Sequence, residues 1–463
     1  MSKRIISFLF VIVFSFAILS CSKLEVTQKV DIDGASSSAT DRKEEVTQVV
    51  IQAVRQTLIL SSNHMPVSAK PIIPVTRDEE EISVDLVVIG AGGAGITAAL
   101  EAKSQGLDLI VLEKSTRAGG NTIHATDGRE ETMNPGASKG RPSMIEDWLE
   151  ELKEKQVDIF YHTQATKLIM ENGKVTGVLA AGQTKDYLIH CKAAIIATGG
   201  YGANHEMVAA FCPDYDNYRT VNADGSTGDG IVMAQEVGAS IIYMEEIQVD
   251  PTVDVKANNI IATSLRDYGA ILVNQNGERF FNESSSRDLL SKAIMAQEGE
   301  YAYLIFDQQL RERLSVIEDY INRDIVEQSE RLTDLAKDLK VDMETLNHTI
   351  EEWNMNLASG SRDSFNRSLD QYQPLVKAPY YAIQVSPAIH NTLGGIEITA
   401  KAEVVTGTDS IIPGLYAAGE VTGRIQGEDP ADFTSEDLVS YSKIAAQSAA
   451  IYIKTQYNNE KNR

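Results

Sequence analysis

The most regular hydrophobic pattern in the chain runs from Val84 to Ala102. Val84 and the block Leu86–Ile89 form a short apolar, β-branched run, as expected of a strand covered on both faces in a parallel sheet. Gly90-Ala91-Gly92-Gly93-Ala94-Gly95 follows, and then Ile96, Ala99 and Leu100 recur at helical spacing. A second apolar run, Leu109–Leu112, ends on Glu113. Lys174–Ala180 and Tyr187–Thr198 read as strands opening a meander, and Gly228-Asp229-Gly230 starts a helix through Val237. From about Glu246 the pattern changes. Asn276-Gly277, between GAILV and ERFF, signals a hairpin. Tyr301–Phe306 reads as a strand, and Glu327–Leu357 is rich in helix formers, with Leu332, Leu335 and Leu339 on one face. Strand patterns return at Tyr380, and Gly414–Glu420 closes the fold begun at Val84. The reading is an α/β chain in which a middle segment is inserted into one Rossmann-like nucleotide-binding domain; no internal repeat is visible.

Strand, glycine turn and helix together predict a dinucleotide site. Gly90 allows the tight turn, Gly92 lets the backbone approach a pyrophosphate, and Gly95 lets the helix pack closely on the strand. The phosphates would sit at the helix N-terminus, where N–H groups and the helix dipole favour anions. Glu113, at the end of the second strand, is placed to accept a ribose hydroxyl. A tight βα turn without a ligand is the alternative; the second strand ending in an acid favours the nucleotide.

Charge and targeting narrow the function. A formal net charge of -24 over 463 residues argues against nucleic acid as a partner. Cys21, Cys191 and Cys212 make neither CxxC nor CxxCH, so no iron–sulfur cluster, structural zinc or c-type haem is expected. Lys3 and Arg4 precede an apolar run, Ile5–Leu19, that is short for a membrane span. Ile18-Leu19-Ser20-Cys21 resembles a bacterial lipobox, with Cys21 becoming the lipidated first residue; a plain secretory signal is the alternative. A lipid-anchored, extracytoplasmic protein of the bacterial cell envelope is therefore expected, held to the membrane by its acyl chains. Ser22–Thr40 reads as a polar spacer, and Asp41-Arg42-Lys43-Glu44 as a capping box ahead of an amphipathic helix. Val30–Leu58 is similar to the end of FMN-binding domains that carry covalent flavin, but the Asp-to-Gly spacing is one residue short. It is read as a remnant, and covalent FMN on Ser36 or a neighbour is not expected.

The ordered motifs GxGGAG, E-K-x-x-x-x-G-G-N, A-T-G-G, T-G-D-G, A-I-L-V-N-x-x-G-x-R-F-x-N-E, L-I-F-D and G-L-Y-A-A-G-E-V-T-G make the chain resemble the soluble fumarate reductase, flavocytochrome c and urocanate reductase family. The resemblance runs from Val84 to about Ile453 and implies a two-segment FAD-binding domain with an inserted α+β capping domain. The expected boundaries are 1–20 for the signal peptide and 21–83 for the lipidated Cys, linker and helix. They continue as 84–245 for the first FAD-binding segment, 246–385 for the cap, 386–457 for the second segment and 458–463 for a tail. Noncovalent FAD is implied, with Gly90, Gly92, Ala94, Gly95, Glu113, Asn121, Thr122, Gly199, Asp229, Asn391 and Glu420 as cofactor positions. The family passes hydride from reduced flavin to one carbon of a polarised C=C bond beside a carboxylate. An Arg gives the proton to the other carbon. Arg287 matches that Arg, Arg266 a member of the relay that reprotonates it, and His390 a ligand of the substrate carboxylate. A small carboxylate-type substrate and an unidentified electron donor are the implied partners.

The chain departs from the family at this site. Asp250 stands where a substrate His is usual, Thr263 where the relay carboxylate is usual, and Pro430 where a second carboxylate-clamping Arg is usual. Asp127 replaces a glycine that lies against the flavin, and Glu436-Asp437 adds acid near the expected flavin edge. Together these remove positive charge from a site for an anion. Three readings compete: a lipid-anchored FAD oxidoreductase with an altered substrate site, a catalytically impaired flavin-binding or electron-transfer lipoprotein, and a nicotinamide enzyme of another Rossmann class. Gly119-Gly120-Asn121 and Gly419-Glu420 weigh against the third.

Overall fold

The structure is a computed structural model, and it describes residues 78–123, 144–360, 362–423 and 435–461. Cys21, the 41–58 helix, Ser36, Asp127 and Pro430, and the side chains of Glu436 and Asp437, lie outside the described residues.

The short apolar runs become the central sheet. Its strand order is Glu403–Val405, Ile411–Ala417, Ala193–Ile196, Leu86–Ile89, Leu109–Leu112, Asp158–Phe160. All pairings are parallel except the first. Every residue of Leu86–Ile89, Leu109–Leu112 and Ala193–Ile196 is buried, as continuous apolar runs require when helices cover both faces. The helix Gly93–Ser104 packs against the C-terminal helix Ser435–Lys461. Their contact is built largely of alanine, with Ala98, Ala99 and Ala102 clustered with Ala445, Ala446 and Ala449. Small side chains let the two backbones lie close.

A second sheet carries Glu79–Ser83, Asp186–His190, Lys174–Ala181 and Gln164–Glu171 in that order. Here the structure corrects the reading of Tyr187–Thr198 as one strand. Asp186–His190 belongs to this sheet and Ala193–Ile196 to the central one. The chain crosses over at Cys191-Lys192, where the N–H of Lys192 donates to the Asp85 carbonyl and its ammonium pairs with the Asp85 carboxylate at 2.7 Å. Apolar residues flank the crossing on both sides, Tyr187-Leu188-Ile189 in the half-buried strand and Ala193–Ile196 in the buried one, so the sequence pattern does not mark it.

The third sheet is ordered Ile247–Asp254, Tyr380–Thr392, Ala302–Asp307, Ile271–Val273; Glu327–Ser329 and Arg219–Thr220 also pair with Tyr380–Thr392. That long strand runs through position 385. Glu327–Leu357 begins as a strand and then forms two helices, Leu332–Leu339 and Met343–Ser359. Lys340 breaks them apart with φ of 61°, and Asp342 caps the second by accepting from the Thr345 N–H at 2.8 Å. The Asn276-Gly277 turn forms, with the Asn274 N–H donating to Glu278 O, but its return arm makes a single bridge at Arg279. Arg279 turns inward to Glu283 instead.

Candidate functional site

The glycine turn opens a cleft at the C-terminal ends of four parallel strands. Ile89, Leu112, Ala197 and Ala418, each at or just past a strand end, line it, and it holds about 850 Å³ of free space including open solvent. This is where ligands of open α/β sheets bind. Gly90 has φ of +103°, and a Cβ there would stand 2.4 Å from the Ala197 carbonyl oxygen. A Cβ on Gly95 would lie 1.8 Å from the Gly90 carbonyl oxygen, so only glycine lets helix and strand approach this closely. Gly92 is different: a Cβ there would meet nothing nearer than Gly119 O at 3.9 Å and would project into the cleft. The space it would fill is the cradle that a backbone-hugging pyrophosphate needs.

The rest of the lining brings together most of the expected cofactor positions. Gly90, Gly92, Ala94, Glu113, Asn121, Thr122, Gly199, Asp229 and Glu420 all border the cleft; Gly95 lies behind it, and Asn391 outside its lining, donating to Gln248 Oε1 at 2.9 Å. Glu113 is pinned by two backbone donors, the Ala91 N–H at 2.9 Å and the Ser115 N–H at 2.8 Å. Each carboxylate oxygen keeps lone pairs for a ribose. Thr122 accepts from the Gly93 N–H at 3.2 Å. Asn121 donates to Glu420 at 3.1 Å and accepts from the Ala223 N–H at 2.8 Å. Burial pushes the Glu420 carboxyl above its ordinary value, against the opposing bonds from Thr392 and Asn121.

Sequence reasoning missed three residues that hold Asp229, of which Lys114 and Gln164 line the cleft. Lys114 pairs with it at 2.8 Å, Gln164 donates to it at 2.8 Å, and Thr227 donates at 2.6 Å. Burial raises the Asp229 carboxyl, but Lys114 and these donors more than offset it and hold it below the usual range. Lys114 directly follows Glu113 in E-K-x-x-x-x-G-G-N, the one signal that could have found it.

A second cluster lies on the third sheet, outside the cleft lining. Asp250 is buried; one oxygen accepts from the Thr252 N–H at 3.0 Å, and the other faces the Arg287 guanidinium at 4.0 Å. Arg287 is half-buried, with 41% of its side chain exposed, at the start of the helix Arg287–Met295, which packs on Ile247–Asp254 and Tyr380–Thr392. Arg266 is buried, donates to Glu283 O at 3.1 Å and lies 3.5 Å from Thr263 Oγ1; its Nε has no hydrogen-bond partner. Burial pushes its guanidinium below the ordinary value, and Asp250 opposes that.

Asp250 and His390 both sit at bulges. Asp250 pairs with Ala388 and Val253 with Ser386, which leaves one extra residue on the first strand. Val249 pairs with Ile389 and Gln248 with Asn391, which makes His390 the extra residue on the second. Bulges re-aim side chains, and they concentrate beside active sites. This strand end is joined to the cleft. Asn222 donates to His390 O at 3.1 Å and accepts from Asn121 at 2.6 Å, and the Thr392 N–H donates to Glu420 at 3.1 Å.

Behind Arg266 lies a buried ionic network that the sequence did not announce. Arg279 grips Glu283 through two bonds of 2.9 and 2.7 Å and reaches Asp363 at 2.8 Å. Arg367, fully buried, pairs with Glu283 at 2.8 Å, donates to the carbonyl of Arg266 and lies 4.4 Å over the Tyr372 ring.

Fold and cleft thus define a protein that takes a dinucleotide at the strand ends. The chain matches the family described as "FAD binding domain" over residues 85–129 and 129–431, and belongs to it. Among curated relatives, it is 31% identical to a fumarate reductase (cytochrome) of Shewanella frigidimarina, over 80% of this chain and 78% of that one. It is 29% identical to the NADH:fumarate oxidoreductase of Klebsiella pneumoniae, over 90% of this chain; it spans about half, 52%, of that protein's length. Among solved structures, the open conformation of a flavocytochrome c3 fumarate reductase superposes with a TM-score of 0.71 at 29% identity, covering 80% of this chain and 79% of that one. The cradle at Gly92, the pinned Glu113 and the Asn121–Glu420 pair fit FAD.

Proposed function

We propose that the chain is a lipid-anchored FAD oxidoreductase that reduces an activated C=C bond next to a carboxylate, on a substrate other than a dicarboxylate. The observation that carries it is the Arg287–Asp250–Arg266 cluster beside the His390 bulge, on a strand end bonded to the flavin cleft. FAD, when bound, supplies the hydride. The chain's own residues bind and protonate. His390 and a guanidinium hold the substrate carboxylate and polarise the double bond. Arg287 delivers the proton from a guanidinium nitrogen to the carbon that does not receive hydride. Arg is protonated at ordinary pH, so it serves only if it is recharged at once; its exposure leaves it open to water.

Fumarate itself should be a poor substrate. The second clamping Arg is Pro430, and a charge-assisted contact of that kind is worth roughly 1.5–3 kcal/mol. Thr263 cannot shuttle protons as a carboxylate does. The same substitutions favour a second reading, a family member that binds flavin or passes electrons without reducing a substrate. Lipidation at Cys21 and placement in the cell envelope complete the proposal and rest on the lipobox-like Ile18-Leu19-Ser20-Cys21; the reductase reading also requires an electron donor, which is unidentified.

The test is the visible spectrum of the purified mature protein. It is followed by anaerobic oxidation of a reduced low-potential dye with fumarate and then urocanate, against Arg287→Ala. A flavin spectrum, urocanate turnover lost in the variant, and weak fumarate turnover are expected. A colourless protein that takes up no added FAD would overturn the proposal. Fumarate turnover at roughly 1–1000 per second, abolished in Arg287→Ala, would restore a plain fumarate reductase.

A further inference from the structure

We infer that Asp250 is a charge filter, which restricts the site to unsaturated acids carrying a single carboxylate and a neutral or cationic far end. The inference rests on the functional reading above and names the substrate class of the same site. Asp250 is a built feature and not a stray surface acid. Its side chain is buried, its position on the bulged strand is fixed, and the Thr252 N–H and hydroxyl hold one oxygen at 3.0 and 3.4 Å. The other oxygen faces Arg287 at 4.0 Å. Its charge also acts on Arg266, the buried guanidinium whose Nε has no hydrogen-bond partner.

Arg287 and Arg266 carry the positive charge of this cluster, and Asp250, with Asp267 and Glu283 also acting on Arg266, sets fixed negative charge against it. One substrate carboxylate can pair with a guanidinium. A second would bring an uncompensated anion into a buried region beside a fixed carboxylate, where water cannot screen the repulsion. An amide, an ester or a cationic ring at the far end avoids that repulsion, and a cation would be attracted to Asp250. Selectivity thus comes from a repulsive element as well as from attraction to the preferred ligand.

The experiment compares fumarate with its monomethyl ester, which keeps the double bond and one carboxylate and removes one charge. Both are assayed with FAD-loaded protein by anaerobic oxidation of a reduced low-potential dye. Their dissociation constants are also read from perturbation of the bound flavin's visible spectrum. Wild type should favour the ester in kcat/KM and in binding by about tenfold or more, as expected for a like-charge contact at this range. Asp250→Asn, which retains an acceptor for Thr252, should shift that preference by about tenfold toward fumarate, mainly through KM. Asp250→Glu, which keeps the charge, should leave the preference with the ester. Equal handling of both ligands by wild type, or an unchanged ratio in Asp250→Asn, would overturn the filter and leave the reductase standing. Neither turnover nor binding of the ester would overturn the reductase and the filter with it.

Discussion

Single residues at the cleft carry sharply different constraints, which can be measured separately. Gly95→Ala would place a methyl 1.8 Å from the Gly90 carbonyl oxygen. It should abolish FAD uptake through displacement of the helix, whereas Gly92→Ala should leave the apoprotein folded and weaken only FAD binding, because its methyl enters open cleft. Equal melting temperatures for the two apoproteins would contradict this. Glu420 adds a pH signature. Burial raises its carboxyl in the folded apoprotein, so the folded state favours the protonated form. Its contribution to stability is present below the ordinary glutamate value and lost as pH rises through the raised one. Glu420→Gln should therefore gain melting temperature over wild type as pH rises from 4 to 7, measured on FAD-free protein. A constant difference across that range would count against it. The glycine positions were legible in the sequence because Gly90, Gly92 and Gly95 are neighbours along the chain in one strand–turn–helix, and Glu113 because the next strand pairs directly with the first.

At the scale of elements, legibility falls with sequence separation. Arg367 reaches Glu283 across 84 positions and the Arg266 carbonyl across 101, and no periodicity in the Arg362–Leu369 segment marks it. His390 was found only through the Pro387-Ala388-Ile389-His390 resemblance. That it is the extra residue of a bulge depends on the register of Ile247–Asp254, which one strand alone cannot reveal. The Arg279–Glu283–Arg367–Asp363 network ties the loop before Arg287 to the helix Met343–Ser359, with Trp353 packed under both guanidinium groups. Arg367→Met should cost about 3–5 kcal/mol, because it leaves two buried carboxylates, Glu283 and Asp363, against the single guanidinium of Arg279. Chemical denaturation would read this, and a loss under about 1 kcal/mol would show the network to be dispensable. Burial raises the Glu283 carboxyl, but Arg367 and Arg279 more than offset it and hold it below the usual range. Its stabilisation is thus present above that range and lost as pH falls through the depressed value.

For the whole molecule, the strand order of the central sheet, with 411–417 beside 193–196, closes the nucleotide fold around an inserted sheet. Among the described residues no helix is long and apolar enough to cross a membrane. Cys21→Ala should release the protein from the membrane fraction or leave its signal uncleaved; unchanged membrane association and unchanged mass would count against lipidation. The claim on which everything turns is that Arg287 protonates a substrate reduced at the cleft. Single-turnover mixing tests it most directly. FAD-loaded protein, reduced by a dye without oxygen, is mixed with monomethyl fumarate, and the flavin spectrum is followed. Reoxidation at roughly 1–1000 per second in wild type, slowed by about two or more decades in Arg287→Ala, is predicted. No reoxidation in wild type, or equal rates in the two proteins, would contradict it.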